Sequence, residues 1–404
     1  MVFPQPAGLW ETYFEENFMK TKSLKVLCLV LSYVLVALVA VSATLWFTTQ
    51  LPMGNTKLEQ LENLLLERFI DGADKTKLED AAAHAMVAAL GDRWSYYIPA
   101  QEYAAYEQQK KNAYVGIGVT ITTTENGYPI QKVAEGGPAE QAGIQAGDII
   151  VAVDGTRVAG MDSSAGKELV QGKAGTKVDI TVDRNGEEMT FTVTRGTVKT
   201  PVATAKMLEG NIGLVTIANF NSNCAKETIA AVKQLQEQGA VALIFDVRNN
   251  GGGYADEMVK VLDYLLPEGE LFRTINYKGQ ESVDKSDAAC VELPMAVLVN
   301  RNSYSAAEFF AVALHEYEWA TVIGEQTSGK GFFQVVYQLS DGSAVGVSIG
   351  KYFTPSGVSL EGVGITPDVP VDVTADVFNA IYAGTLDPME DPQILAAIEA
   401  LKGE

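Results

Sequence analysis

Val297-Leu298-Val299-Asn300-Arg301-Asn302-Ser303-Tyr304-Ser305-Ala306-Ala307-Glu308-Phe309-Phe310 passes from an apolar run, through a polar turn, into a helix start. A buried strand feeding a helix is the repeating unit of an α/β fold. Residues 200–380 repeat that alternation. Asn211 to Phe220 and Ala240 to Val247 read as strands, Glu227 to Gln238 and Tyr254 to Leu266 as helices. Pro392 to Lys402 reads as a short final helix. At the strand-to-helix junction, Ser305 would sit where unpaired N–H groups and the positive dipole end favour developing negative charge. The same residues also fit a capping box, with Glu308 three positions on, in which the serine is structural.

Upstream the texture differs. Val115-Gly116-Ile117-Gly118-Val119 is followed by Ile130-Gln131-Lys132-Val133, Gly137-Pro138-Ala139 and Gly147-Asp148-Ile149-Ile150. Strands from Lys177 to Val182 and from Met189 to Thr194 close the unit near Gly196. This order resembles a PDZ domain of the bacterial-protease type over 114–196. In such a domain the Val115-Gly116-Ile117-Gly118 loop offers free backbone N–H groups to a terminal carboxylate, and the strand after it pairs with an extended peptide. Alone, Gly116 and Gly118 would mean only a tight turn.

A second decisive segment, Glu325-Gln326-Thr327-Ser328-Gly329-Lys330-Gly331-Phe332-Phe333-Gln334, sets one lysine between two glycines. With Asp246-Val247-Arg248-Asn249-Asn250-Gly251-Gly252-Gly253, Tyr352-Phe353-Thr354-Pro355 and Gly362-Val363-Gly364-Ile365, it resembles the carboxy-terminal processing peptidases, or tail-specific proteases. That resemblance implies a nucleophilic serine at Ser305, a lysine base at Lys330 (330 − 305 = 25) and a glutamine at Gln334 (334 − 330 = 4). It also implies a ClpP/crotonase-like α/β core with an inserted PDZ domain. Tyr304 and Ala307 depart from the alanine and serine common there, and Gly251 stands where a proline is usual.

The chemistry is consistent. A free lysine titrates near about 10.4, so it accepts a proton at pH 7 only if an apolar site destabilises its charged form. Glycines 329 and 331 let the backbone bring the amine close, and Gln334 can direct it without adding charge. Ser305 would then attack a peptide carbonyl and pass through an acyl-enzyme. The Ala306 N–H is the natural oxyanion donor, and the resemblance points to Gly252 as the second. Of the two histidines, His315 lies about 15 Å along a continuous helix from Ser305 and His84 falls in a helical stretch, so a histidine base is not expected. The competing functional class is a PDZ-bearing scaffold on a degenerate protease fold, which a serine-directed covalent probe would leave unlabelled.

The rest of the chain sets context. At 404 residues, 47% hydrophobic and 20% charged, it is long enough for several packed domains. A net charge of −21 repels phosphate backbones and argues against a nucleic-acid partner. Three cysteines make no disulfide framework, and without a Cys/His cluster no metal or other cofactor is expected. From Val26 to Phe47 the sequence is apolar, with Lys20, Lys22 and Lys25 before it. This reads as a transmembrane anchor over 26–47 with residues 1–25 cytoplasmic and the remainder exported. A cleaved signal peptide ending near Val41-Ser42-Ala43 is the rival, weakened by the long leader. Residues 56–110 read as a helical arm for packing or homo-oligomerisation, 197–380 as the peptidase core and 381–404 as a terminal helix. The expected partners are the membrane and protein substrates with flexible C-termini.

Overall fold

The structure is a computed structural model and describes residues 26–27, 29–43 and 56–403. The chain divides into two compact units, residues 1–82 and 83–404. In the first, residues 26–27 and 29–43 are helical with exposed apolar side chains. Helix Lys57–Arg68 opens with a capping box between Thr56 and Glu59. Among the described residues no helix is long and apolar enough to cross a membrane, so the anchor expected over 26–47 is not shown. Residues 1–25, Cys28 and 44–55 lie outside the described residues, and with them the expected cytoplasmic segment.

The core of the second unit is a six-stranded sheet. Its order is Ala203–Leu208, Ile212–Ile217, Ala242–Asp246, Met295–Val299, Ala320–Gly324 and Val369–Pro370, with the first pair antiparallel and the rest parallel. Successive side chains on a strand point to opposite faces, and the central strands are apolar on both. Leu243, Phe245, Val297 and Val299 pack with helices Cys224–Glu237, Ala255–Leu265 and Ala306–Glu316. Ala242, Ile244, Ala296 and Leu298 pack with Ile394, Ala397 and Ile398 of helix Pro392–Lys402. Arg248 ties that last helix down, bonding Asp246 (2.6 Å) and Asp391 (2.7 Å) with its guanidinium buried.

A second, antiparallel sheet brings the lysine segment in. Its long strand Ala344–Phe353 pairs with Phe332–Gln338, Gly269–Asn276 and Tyr96–Ile98. The last of these corrects the reading of 56–110 as helical throughout. Tyr96, Tyr97 and Ile98 are aromatic and β-branched, and they bury more against the sheet than a solvent-facing helix would allow.

The PDZ unit is a five-strand path, Val119–Ile121, Tyr128–Val133, Ile149–Val153, Lys177–Arg184 and Glu187–Thr194, around its own apolar cluster. It enters and leaves through one antiparallel ribbon, Ala113–Gly116 on Gly196–Lys199. This is an inserted domain in a mixed α/β fold.

Candidate active site

Ser305 ends the polar turn after strand Met295–Val299 and precedes helix Ala306–Glu316, as the opening segment predicts. Its φ of 59° and ψ of −128° lie where L-residues are rarely found. Such strain persists only where surrounding bonds hold it. Tyr304 N–H donates to the Asn250 carbonyl at 3.2 Å, and Ser303 Oγ donates to the Val247 carbonyl at 2.8 Å. Ala306 takes the first helical position, where the N–H has no carbonyl one turn back.

Glu308 is fully buried and joins the serine segment to the lysine segment. Its Oε2 accepts the N–H groups of Ser305 (2.9 Å) and Lys330 (2.8 Å). Its Oε1 accepts Gly329 N–H (2.7 Å) and Thr327 Oγ1–H (2.5 Å). The capping-box bond to Ser305 N–H is therefore present, as half of a larger clamp. A buried carboxylate without a cation needs such a set of donors.

Packing explains the glycines around Lys330. Gly329 has φ +75°, and a Cβ there would lie 2.7 Å from Gly364 N. A Cβ on Gly331 would lie 2.7 Å from Glu361 N. The 360–364 segment thus presses against the lysine loop, and only glycine permits the approach.

Ser305, Lys330 and Gln334 line one cavity of about 370 Å³, with Gly251, Gly253 and Tyr304. Neither histidine lines it. His84 meets the Tyr97 ring edge-on, and His315 Nδ1 lies 3.2 Å from Asp368. Lys330 Nζ stands over the Trp94 ring, 4.9 Å from its centroid, and 5.9 Å from that of Tyr304. Burial, then the nearby Lys110 charge, lower the Lys330 amine to about 8, against Asp92, Glu361 and Glu308. Gln334 Nε2 donates to Ser348 Oγ (2.9 Å) and Phe332 O (3.1 Å), which leaves Oε1 as the acceptor for an amine.

Gly252 has φ +83°, and a Cβ there would lie 2.8 Å from Ser305 Cβ. Its N–H, the expected second oxyanion donor, is donated to Asn250 Oδ1 at 2.8 Å. Gly251 and Gly253, on either side, are the glycines that line the cavity.

Several site residues carry no sequence signal that spacing could find. Residues 92–110, expected to contain nothing chemical, supply Trp94 against Lys330, and Tyr106, Glu107 and Lys110 on the cavity wall. Arg93 Nη2 donates to the carbonyls of Ser328 (2.9 Å) and Gly329 (2.7 Å), and Trp94 Nε1 to Glu361 (3.0 Å). The two departures Tyr304 and Gly251 are one feature: a Cβ at 251 would lie 2.5 Å from Tyr304 Oη.

In the PDZ unit, Val115, Gly116, Ile117 and Gly118 line a groove of about 590 Å³ between strand Val119–Ile121 and helix Ser163–Val170. Ile121, Ile150 and Val170 make it apolar, and Lys167 adds a cation. Strand Val119–Ile121 is at the sheet edge, with one side available for an added strand.

A serine at a strained strand-to-helix turn and a half-buried lysine share one cavity, the arrangement a serine peptidase needs. Residues 211–371 match peptidase family S41 and residues 115–194 match the PDZ domain. The carboxyl-terminal-processing protease of Synechocystis is 32% identical over 352 residues, covering 84% of this chain and 81% of that protein. The carboxy-terminal processing protease CtpA of Bacillus subtilis is 31% identical over 326 residues, covering 79% and 70%. The solved structure of a photosystem II D1 C-terminal processing protease is 31% identical and covers 84% of this chain and 93% of its own, with a TM-score of 0.46. The chain belongs to the C-terminal processing peptidases of family S41 and is a serine peptidase.

Proposed function

We propose that this peptidase cleaves exported proteins at or near flexible, apolar C-terminal tails, with Ser305 as nucleophile and Lys330 as base. The observation that carries this reading is the cavity shared by Ser305, Lys330 and Gln334, in which burial disfavours the lysine's charge. Neutral Lys330 takes the Ser305 proton as Oγ attacks the scissile carbonyl. An acyl-enzyme forms, the amine product leaves with a proton from Lys330, and water resolves the ester with the same base. Gln334 directs the amine through Oε1. The oxyanion is met by the Ala306 N–H and by Gly252, whose N–H must then leave Asn250 Oδ1.

The apolar PDZ groove and its glycine loop support capture of the tail, and the shared ribbon at residues 113–116 and 196–199 supports gating by that module. The parallel core sheet with helices on its faces supports the ClpP/crotonase-like assignment. The apolar run from Val26, with lysines before it, supports a retained anchor with the catalytic unit outside the cytoplasm. Resistance of the full chain to carbonate extraction is expected; release into the supernatant would remove the anchor. Purified Ser305→Ala and Lys330→Ala should each lose cleavage of an unfolded substrate, and undiminished cleavage by either would refute the assignment.

A further inference from the structure

We infer that Lys110 is a positioning residue for the base: a second cation, fixed in the wall of the catalytic cavity, that disfavours a proton on the Lys330 amine. The inference rests on Lys330 acting as the base. Lys110 ends helix Ala100–Lys110 and lines the same cavity as Ser305 and Lys330. Its Nζ stands 5.6 Å from the ring centroids of both Tyr106 and Tyr254 and donates to Asn221 Oδ1 at 3.4 Å. Two rings and an amide hold the ammonium in place without cancelling its charge.

The carboxylates that favour a charged Lys330, namely Asp92, Glu361 and Glu308, keep their charge and oppose Lys110, each held in place by other donors. Glu308 accepts four donors. Glu361 accepts Trp94 Nε1–H and Gly331 N–H (2.7 Å), with Arg93 4.0 Å away. Asp92 accepts Trp94 N–H and both Ser95 donors. Glu107, on Lys110's own helix, faces Lys111 at 3.8 Å. Tyr106, Tyr254 and Tyr352 are held protonated by burial, and Tyr96 and Tyr304 complete the phenolic wall. Lys110 is thus the cavity's fixed positive neighbour, and a like charge disfavours a second proton nearby. Burial lowers both amines, and at Lys330 the Lys110 charge adds to it.

The test is the pH profile of kcat/KM, with the pH dependence of Ser305 labelling by a fluorophosphonate as a second readout. Lys110→Met removes the charge at similar volume and should move the acid limb up by about 0.5–1 pH unit, a loss of roughly three- to tenfold at pH 7. Lys110→Arg keeps the charge and should keep the wild-type limb. The limb's position is the readout, whatever the plateau. An unmoved limb in Lys110→Met, or an equal shift in Lys110→Arg, overturns the inference. If the methionine variant does not fold by near-ultraviolet circular dichroism, Lys110→Gln is read the same way. Lys330→Ala separates the two readings: full activity there removes the base itself, whereas an inactive Lys330→Ala with an unmoved Lys110→Met limb removes only the role of Lys110.

Discussion

Glu308 and Lys330 are joined through the backbone, the Glu308 carboxylate accepting the Lys330 N–H at 2.8 Å and the Ser305 N–H at 2.9 Å. One buried side chain therefore sets the separation of two segments that lie 25 residues apart. Glu308→Ala would strand several buried donors, at about 1–3 kcal/mol for each one left unsatisfied. A clearly lower urea midpoint and at least a tenfold loss of kcat are expected, with Glu308→Gln milder on stability. Wild-type kcat in a folded Glu308→Ala would show that the clamp does not position the site.

Lys330 leads to a pH profile with a definite sign. Its amine is lowered to about 8, so it is mostly charged below that pH and mostly neutral above it. At pH 7 about one tenth is neutral. Cleavage should rise with pH through about 8, and Ser305 labelling should follow the same curve. A flat profile between pH 6.5 and 9 would contradict a lysine base.

Gly251 and Tyr304 predict a coupled pair. Gly251→Ala puts a methyl against the Tyr304 ring, which stacks on Trp94 at 5.9 Å. Its cost should be about 1–2 kcal/mol as overpacking. In a Tyr304→Ala background the same change should cost little, a coupling that a double-mutant cycle of urea midpoints reads directly. Additive effects would mean that the ring moves aside freely.

The Arg248–Asp391 pair is buried at both ends, and Asp391 also caps helix Pro392–Lys402 by accepting Gln393 N–H at 2.9 Å. Asp391→Ala removes one of the two carboxylates on the buried guanidinium, which keeps Asp246 and Gln393 Oε1, and removes the cap, a loss of about 1–3 kcal/mol. Urea unfolding should show it. A loss under about 1 kcal/mol would mean that Asp246 and Gln393 suffice for Arg248.

Removing residues 117–195 leaves Gly116 beside its partner Gly196, so the shortened chain can close as a hairpin. If the PDZ unit gates the site, cleavage of an unfolded protein should change severalfold and lose its dependence on the substrate's C-terminal residues. Equal rates with and without the module would rule gating out.

Much of this was legible in the chain. Local pattern marked the central strands and helices, because period-two and 3.6-residue apolar repeats survive in the sequence whatever packs against them. The final helix, Pro392–Lys402, falls where its proline start predicts it. Ser305, Lys330 and Gln334 could be found because they lie in short segments of distinctive composition, and the fold brings all three to one cavity.

Trp94, Lys110 and the full reach of Glu308 could not be found in that way. Arg93 meets Ser328 across 235 residues, and Trp94 meets Glu361 across 267. Contacts of that range leave no periodicity, and tyrosines and lysines in a helix look like an ordinary amphipathic face. Strand Tyr96–Ile98 was hidden likewise, since a three-residue run becomes a strand only when the 344–346 edge is there to pair with it. The chain alone singled out the candidate reacting groups, because that choice depends on residue type and local spacing. Only the tertiary structure decided the lysine's proton affinity, since it arises from burial and from a neighbouring charge brought from another part of the chain.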